Sequence, residues 1–312
     1  MGVPWAVPVM QAPIGPATTT DLVRAVSRVG ALGTLAASWT EPDALRRQVR
    51  EIRDEVDGNF CVNLVLAFDQ RERLEIALAE GARFISFSWG VEPLLVRRAH
   101  EAGAVVLIQV GDIATAEEAA DGGADVLIAQ GLEAGGHVQG TSPLLDLVRE
   151  IRGALSLPVV AAGGIADPVT ARAAIAAGAD AVACGTAFLA ASEADVHPVY
   201  RDRLFAAEAA DTVLTTIFDV GWPDAPHRVL RNRTFLDWLA AGEPVPGQRP
   251  GDGDVVATRD GDPILRYSDA QPTHRTSGEV EAMALYAGTS VGHVSGVAGA
   301  ETIALTIADA LA

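Results

Sequence analysis

The sequence predicts an α/β fold, a (β/α)8 or TIM barrel with a helical cap inserted after the eighth strand. Three observations predict it. Eight short apolar runs recur at intervals of roughly 20–30 residues. Ala-rich stretches of helical character separate them. Several of those stretches stop in the same way, at Glu80-Gly81-Ala82, Ala102-Gly103-Ala104, Gly122-Gly123-Ala124 and Ala177-Gly178-Ala179. A glycine just past a helix supplies the left-handed residue that ends it, and the next apolar run follows at once.

The runs are Val7–Pro13, Leu32–Ala37, Phe60–Leu66, Phe84–Trp89, Val105–Val110, Val126–Gly131, Pro158–Gly163 and Ala181–Ala187. Most are continuously apolar rather than alternating, as strands covered on both faces are. Helices are expected at Thr20–Val29, capped by its preceding threonines, and at Pro42–Val56, which begins with a cap and an early proline. Gln70–Ala79, Pro93–Ala102, Thr115–Gly122, Pro143–Arg152 and Pro168–Ala177 complete the alternation. Eight β-then-α units argue for a closed barrel. A doubly wound sheet is the other reading. It places a G-x-G-x-x-G turn after the first strand, where this chain has Pro13-Ile14-Gly15-Pro16.

After the eighth run the pattern changes. Residues 193–242 read as helices anchored by Trp222, Phe235 and Trp238, and 243–263, rich in Pro, Gly and Asp, as a loop. A last helix is expected over Gly299–Leu311. The division is therefore 1–192 with 286–312 as the barrel, and 193–285 as a cap beside its mouth.

Composition narrows the function. Hydrophobic residues are 49% and aromatic residues 5%, so Ala, Val, Leu and Ile make up the core, as suits a buried parallel sheet. The net charge of −18 disfavours nucleic acid and anionic lipid as partners. Any anionic group must be held locally, by backbone N–H groups. Cys61 and Cys184 lie inside apolar runs and read as buried thiols. With no leader-like N-terminus and no membrane-length apolar stretch, a cytoplasmic protein is expected.

In such a barrel, the residues just past each strand share one pocket. Gln11, Ala12 and Pro13 follow strand one, and Asn63 lies on strand three. Ser86, Ser88 and Trp89 end strand four, and Gln109 ends strand five. Strand six leads into Gln130 and the turn Glu133-Ala134-Gly135-Gly136-His137. Gly163-Gly164 and Gly185-Thr186 end strands seven and eight and form the phosphate candidate, with Asp167-Pro168 opening a helix beside them. The same glycines would also serve plain tight turns. His137 titrates near neutrality and can move a proton cheaply. The amides of Asn63, Gln109 and Gln130 suit the edge of a polar ring system, or else bond to each other. Glu133 reads as a ribityl or helix-capping contact. Metal-ligand spacings such as H-x-x-H, C-x-x-C and H-E-x-x-H, and a P-loop, are missing from the sequence.

Several of these strings resemble the nitronate monooxygenases. They are Pro8-Val9-Met10-Gln11-Ala12-Pro13, Asn63, Ala129 through His137, Val160 through Ile165, Gly185-Thr186 and Leu285 through Gly292. The resemblance implies an FMN-bound barrel that oxidises alkyl nitronates with O2 to a carbonyl compound and nitrite. It implies the FMN phosphate on Gly163, Gly164, Gly185 and Thr186, and the ring near Ala12, Asn63, Gln130, Gly135 and Gly136. It makes His137 the active-site histidine, either taking a proton from a nitroalkane or, as a cation, holding the nitronate anion. A homodimer is left open. Gln109 and Trp89 depart from the pattern and bear on substrate choice. A flavin-dependent enoyl-acyl-carrier-protein reductase shares the Glu-Ala-Gly-Gly-His string; its acidic partner would need a basic patch such as Arg228, Arg231 and Arg233. A non-catalytic phosphate binder is the reading from another class.

Overall fold

Eight parallel strands close into a ring in the computed structural model, which describes residues 2–56, 58–309 and 311. The chain runs β1 (Val9–Gln11), α1 (Thr20–Arg28), β2 (Gly33–Ala36), α2 (Pro42–Val56), β3 (Phe60–Val65) and α3 (Arg71–Ala79). It continues through β4 (Phe84–Ser88), α4 (Pro93–Glu101), β5 (Val105–Val110), α5 (Ile113–Asp121) and β6 (Val126–Gln130). A two-residue β7 (Gly136–His137) precedes α6 (Leu144–Ala154), β8 (Val159–Ala162), α7 (Pro168–Ala176), β9 (Ala181–Cys184) and a single-turn α8 (Thr186–Leu189). The barrel order is β1-β9-β8-β6-β5-β4-β3-β2. One parallel bridge, Met10 to Leu32, joins β1 to β2 and closes the ring.

Local chemistry sets the helix starts, α1 and α7 where the sequence predicts and α5 two residues before the expected Thr115. The Thr19 hydroxyl accepts from Leu22 N–H at 3.0 Å. Asp112 and Asp167 each form a reciprocal capping box, with Thr115 and Thr170, on α5 and α7. Gly81 and Gly178 take the left-handed conformation, φ +92° and +112°, that returns the chain to the next strand.

The inside of the barrel decides where the site lies. Side chains two apart on a strand share a face. Trp5, Met10, Leu32, Cys61, Phe84, Leu107, Ile128 and Val160 fill the interior as one apolar cluster. Trp5 meets Phe84 edge to face at 6.1 Å. Two residues further along the strands, the same face carries Ala12, Thr34, Asn63, Ser86, Gln109, Gln130 and Ala162. The barrel is thus apolar below and polar at its C-terminal mouth. The opposite strand faces pack on the helices in the larger cluster, including Val62, Ile85, Val106 and Leu127. Cys61 and Cys184 are both free and buried.

The segment after β9 carries the expected helices, α9 (Pro198–Phe205) and α10 (Arg233–Ala240), but strands occupy as much of it. Antiparallel β10 (Thr212–Thr215) and β11 (His227–Leu230) form a three-stranded sheet with β7. A second sheet holds β12 (Val255–Arg259), β13 (Asp262–Leu265) and β14 (Thr276–Gly278). The stretch read as a loop over 243–263 therefore contains most of a hairpin. Its turn is Asp260-Gly261, both at positive φ, which matches the right-handed twist of the flanking strands. The final helix α11 spans Ala300–Ala308 and packs on α1; Ala310, within the expected span, lies outside the described residues. Among the described residues, no helix is long and apolar enough to cross a membrane.

Candidate active site

The polar ring at the mouth is tied by two sets of hydrogen bonds, one at Asn63 and one around Gln139. Asn63 Nδ2 donates to Ser86 Oγ at 3.0 Å. Gln109 Nε2 donates to Gln139 Oε1 at 2.8 Å, and the same oxygen accepts the Trp89 N–H at 3.1 Å. Gln130 makes a two-pronged clasp. Its Oε1 accepts from Gln139 N–H at 2.7 Å, and its Nε2 donates to the His137 carbonyl at 3.1 Å. The strand-six amide therefore fixes the turn that carries His137, and Gln139 relays that order to β4 and β5.

The turn has further supports. Glu133 accepts from Leu144 N–H with both carboxylate oxygens, at 3.0 and 3.2 Å, and so caps α6. This is the capping role among the two read for it. Ala134 N–H closes the turn on the Gly131 carbonyl at 3.1 Å. Gly135 lies against Ala287-Gly288, where a Cβ would come 2.4 Å from Gly288 N. Gly136, at φ +74°, has open space on its Cβ side. Gly288 N–H in turn donates to the Thr186 hydroxyl at 2.9 Å, and Thr289 N–H to the Glu133 carbonyl at 2.9 Å. The late segment thus straps the His137 turn to the start of α8.

His137 pairs across β7 and β11 with His227. Its ring stacks on Trp222, with centroids 4.4 Å apart and planes at 28°. Tyr286, His227 and Trp89 stand at 5.7, 5.4 and 6.3 Å. Nε2 is buried and has no hydrogen-bond partner. Burial, and next the neighbouring His227, push the imidazole down to about 3. Of the two roles the resemblance implies for His137, the cationic one is therefore disfavoured, because these rings replace the water that would solvate a charge. His227 is fixed as its Nδ1–H tautomer: Nδ1 lies 2.9 Å from the Ala225 carbonyl, and Nε2 accepts from Phe218 N–H at 3.3 Å. Trp89 itself is held at φ +61°, a left-handed conformation that costs a bulky residue on the order of 1–3 kcal/mol.

Across the mouth, Gly163 and Gly164 take φ +121° and +68°. A Cβ on them would meet Ala134 N at 3.0 Å and Glu133 Cβ at 3.0 Å, so they also allow the His137 turn to approach. Gly185 precedes α8, and no side chain caps that short helix. By contrast, the start of α7 is already taken by the Asp167 carboxylate, which also pairs with His293 at 2.8 Å. An anion on this side is favoured at Gly185-Thr186 and disfavoured at the α7 terminus.

The candidate residues do not all face one space. Gln11 alternates away from the Met10–Ala12 face. Its Oε1 accepts from Thr34 N–H at 2.9 Å and its Nε2 donates to the Ala12 carbonyl, so it clasps the β1–β2 seam. Ala12 N–H donates to the Cys184 carbonyl at 2.9 Å, which sets Ala12 and Pro13 beside Gly185. The basic trio is dispersed as well. The Arg228 guanidinium donates to the Leu132 carbonyl at 2.8 and 3.1 Å, and Arg233 lies 3.6 Å from Asp237. Gln139, Trp222, His227 and Tyr286 belong to the site and were not singled out for it. Gln139 carried a signal two residues beyond His137 in the same turn, and Tyr286 one inside the Leu285–Gly292 string.

Comparison with known proteins agrees with this geometry. The nitronate monooxygenase family model matches residues 3–73 and 66–303. The chain is 37% identical over 238 residues to a (3aS,4S,5R,7aS)-5-hydroxy-7a-methyl-1-oxo-octahydro-1H-indene-4-carboxyl-CoA dehydrogenase of Mycobacterium tuberculosis; the match covers 75% of this chain and 66% of that relative's length. It is 35% identical over 288 residues to a nitronate monooxygenase of Pseudomonas aeruginosa, covering 76% and 80%. Among solved structures, a nitroalkane oxidase from Streptomyces ansochromogenes superposes with TM-score 0.78 at 27% identity, covering 98% of this chain and 97% of that one. FabK from Thermotoga maritima gives 0.77 at 29%, covering 97% and 92%. With the family model matched over nearly the whole chain, the protein belongs to the nitronate monooxygenase family.

Proposed function

We propose that the protein binds FMN at the barrel mouth and oxidises alkyl nitronates, or nitroalkanes after loss of a proton, to a carbonyl compound and nitrite. In atoms, two nitronates plus one O2 give two carbonyl compounds and two nitrite ions, one oxygen atom entering each carbonyl group. The observation that carries the reading is His137 Nε2, a buried and unpartnered basic nitrogen among aromatic rings. Burying a polar atom unpaired costs free energy, and such atoms recur where a ligand completes the pairing.

The residues fit a flavin mononucleotide. Gly185 and Thr186 open an uncapped helix end for the phosphate, beside Gly163 and Gly164, and Ala12 and Pro13 border it. Asn63, Gln109 and Gln130 supply amide edges, Ala134 and Gly135 carry the turn, and the open side of Gly136 leaves space for a flat ring. When bound, FMN supplies the electron transfer from substrate to O2.

This chain's own part is proton handling and exclusion of water. A neutral His137 in its Nδ1–H tautomer would present an acceptor at the unpartnered Nε2, able to take the α-proton of a nitroalkane. With a substrate already deprotonated, the same neutral ring orients it without a charge of its own. Gln130 and Gln139 hold the turn so that Nε2 keeps its place. Trp89, Trp222 and Tyr286 keep the surroundings dry, which strengthens every polar interaction inside.

An absorption spectrum of the purified protein, followed by O2 uptake with nitroethane nitronate and without NADH, tests the reading. Flavin bands and nitronate-dependent uptake are expected. A protein that cannot be loaded with FMN, or one bleached rapidly by NADH and inert to nitronates, overturns it. The reductase alternative is weakened by Arg228, whose guanidinium is turned onto the Leu132 carbonyl instead of outward.

A further inference from the structure

We propose that the site selects nitronates bearing an aryl or similarly planar apolar substituent, and that Trp39, Phe68, Trp89 and Trp222 form the wall that selects them. This rests on the nitronate reading above and names its substrate class. The four rings come from four separate connections: those after β2, β3 and β4, and the one between β10 and β11. They nevertheless form one continuous group. Trp39 meets Phe68 at 5.6 Å and Trp222 at 6.2 Å; Phe68 meets Trp222 at 5.3 Å; Trp89 meets Trp222 at 4.8 Å. The group ends on His137 through the Trp222 stack.

Three features separate this wall from ordinary core packing. It gathers three of the chain's five tryptophans at one rim, in a protein only 5% aromatic. Its outer members stay wet: Trp39 is 58% exposed and Phe68 37%. Its inner member Trp89 is kept in the left-handed region, its N–H held by Gln139, at a position where glycine would be unstrained. The pairs within the wall cross at 56–72°, so each contact covers at most one ring face and the outer faces of Trp39 and Phe68 stay open. A planar aryl group can stack on those faces while its reacting carbon reaches His137. A short alkyl group reaches the same nitrogen and leaves the wall in water.

The test compares the nitronates of phenylnitromethane and nitroethane on the FMN-loaded protein by O2 uptake. The aryl substrate should be favoured at least about tenfold in kcat/KM, chiefly through KM, as two or three aromatic contacts would give. In Trp222→Ala and Phe68→Ala that ratio should fall towards one. Quenching of tryptophan fluorescence by benzoate and by acetate, planar anions that stand in for the two substrates, gives a second readout; benzoate should bind at least about tenfold tighter. Equal kcat/KM for the two nitronates overturns the proposal and leaves the nitronate reading standing. If neither nitronate is oxidised, the nitronate reading fails. The wall is then judged by binding alone: benzoate over acetate upholds it, equal binding overturns it.

Discussion

The indole of Trp222 lies on the imidazole of His137, 4.4 Å between centroids, although the two residues belong to different parts of the fold. His137 hangs from a barrel strand, and Trp222 from a connection in the inserted segment. The stack is what makes the histidine dry, and four tests follow from that dryness and from the scaffold around it.

Removing the imidazole should uncouple chemistry from binding. His137→Ala should still take up FMN, yet lose about 10²–10⁴-fold in kcat/KM with neutral nitroethane, the usual contribution of a positioned base. Steady-state O2 uptake and the flavin spectrum measure the two effects separately. Unchanged turnover would take His137 out of the mechanism.

Acid should act on the same residue through stability. The folded protein refuses a proton at His137 until about pH 3, while the unfolded chain accepts one near 6.5. Stability contributed by this group is therefore intact above pH 6.5 and declines as pH falls from 6.5 towards 3. At pH 5 the loss is at most about 2 kcal/mol. Urea unfolding of His137→Phe should show a smaller drop between pH 7 and pH 5 than the parent.

Asp269 titrates the other way. Burial raises its carboxyl to about 6, and its Oδ1 lies 2.3 Å from where a Cβ on Gly221 would stand, next to Trp222. The folded state keeps the proton that the unfolded chain gives up near 3.9, so stability is lost as pH rises from about 4 through 6. Asp269→Asn should melt at a higher temperature than the parent at pH 8, with the gap closing at pH 4.

The Gln130 clasp and the Gly185 approach should separate order from cofactor retention. Gln130→Leu leaves Gln139 N–H unpaired in a half-buried site and should cost about 1 kcal/mol, with a fall in kcat as the His137 turn loosens. Gly185→Val has room in the protein, where a Cβ meets Ile14 at 3.5 Å and Ala12 at 3.8 Å. It should melt within about 1 kcal/mol of the parent yet hold FMN at least about tenfold more weakly. If FMN binds Gly185→Val as tightly as before, the phosphate sits elsewhere.

The barrel was legible because its signals are local. Apolar runs, caps such as Asp167 and glycine stops such as Gly178 act within a few residues, and eight repetitions leave little choice of topology. The hairpin at Asp260-Gly261 was hidden inside a stretch whose Pro and Gly content reads as loop. The amides Asn63, Gln109 and Gln130 were expected at the mouth because strand ends gather there, and strand alternation sets them two residues above the apolar interior. Gln11 was misplaced by one residue of that same alternation, which turns a side chain to the opposite face.

The sequence by itself determined a closed α/β barrel, a polar mouth and a histidine on a glycine turn beside it. Only the tertiary structure decided that this histidine is neutral, that Gln139 and Gln130 aim it, and that Trp222, His227 and Tyr286 enclose it. Proton affinity depends on which groups displace water from the ring. Here those groups lie 85 to 149 residues away along the chain, a separation that no local pattern encodes.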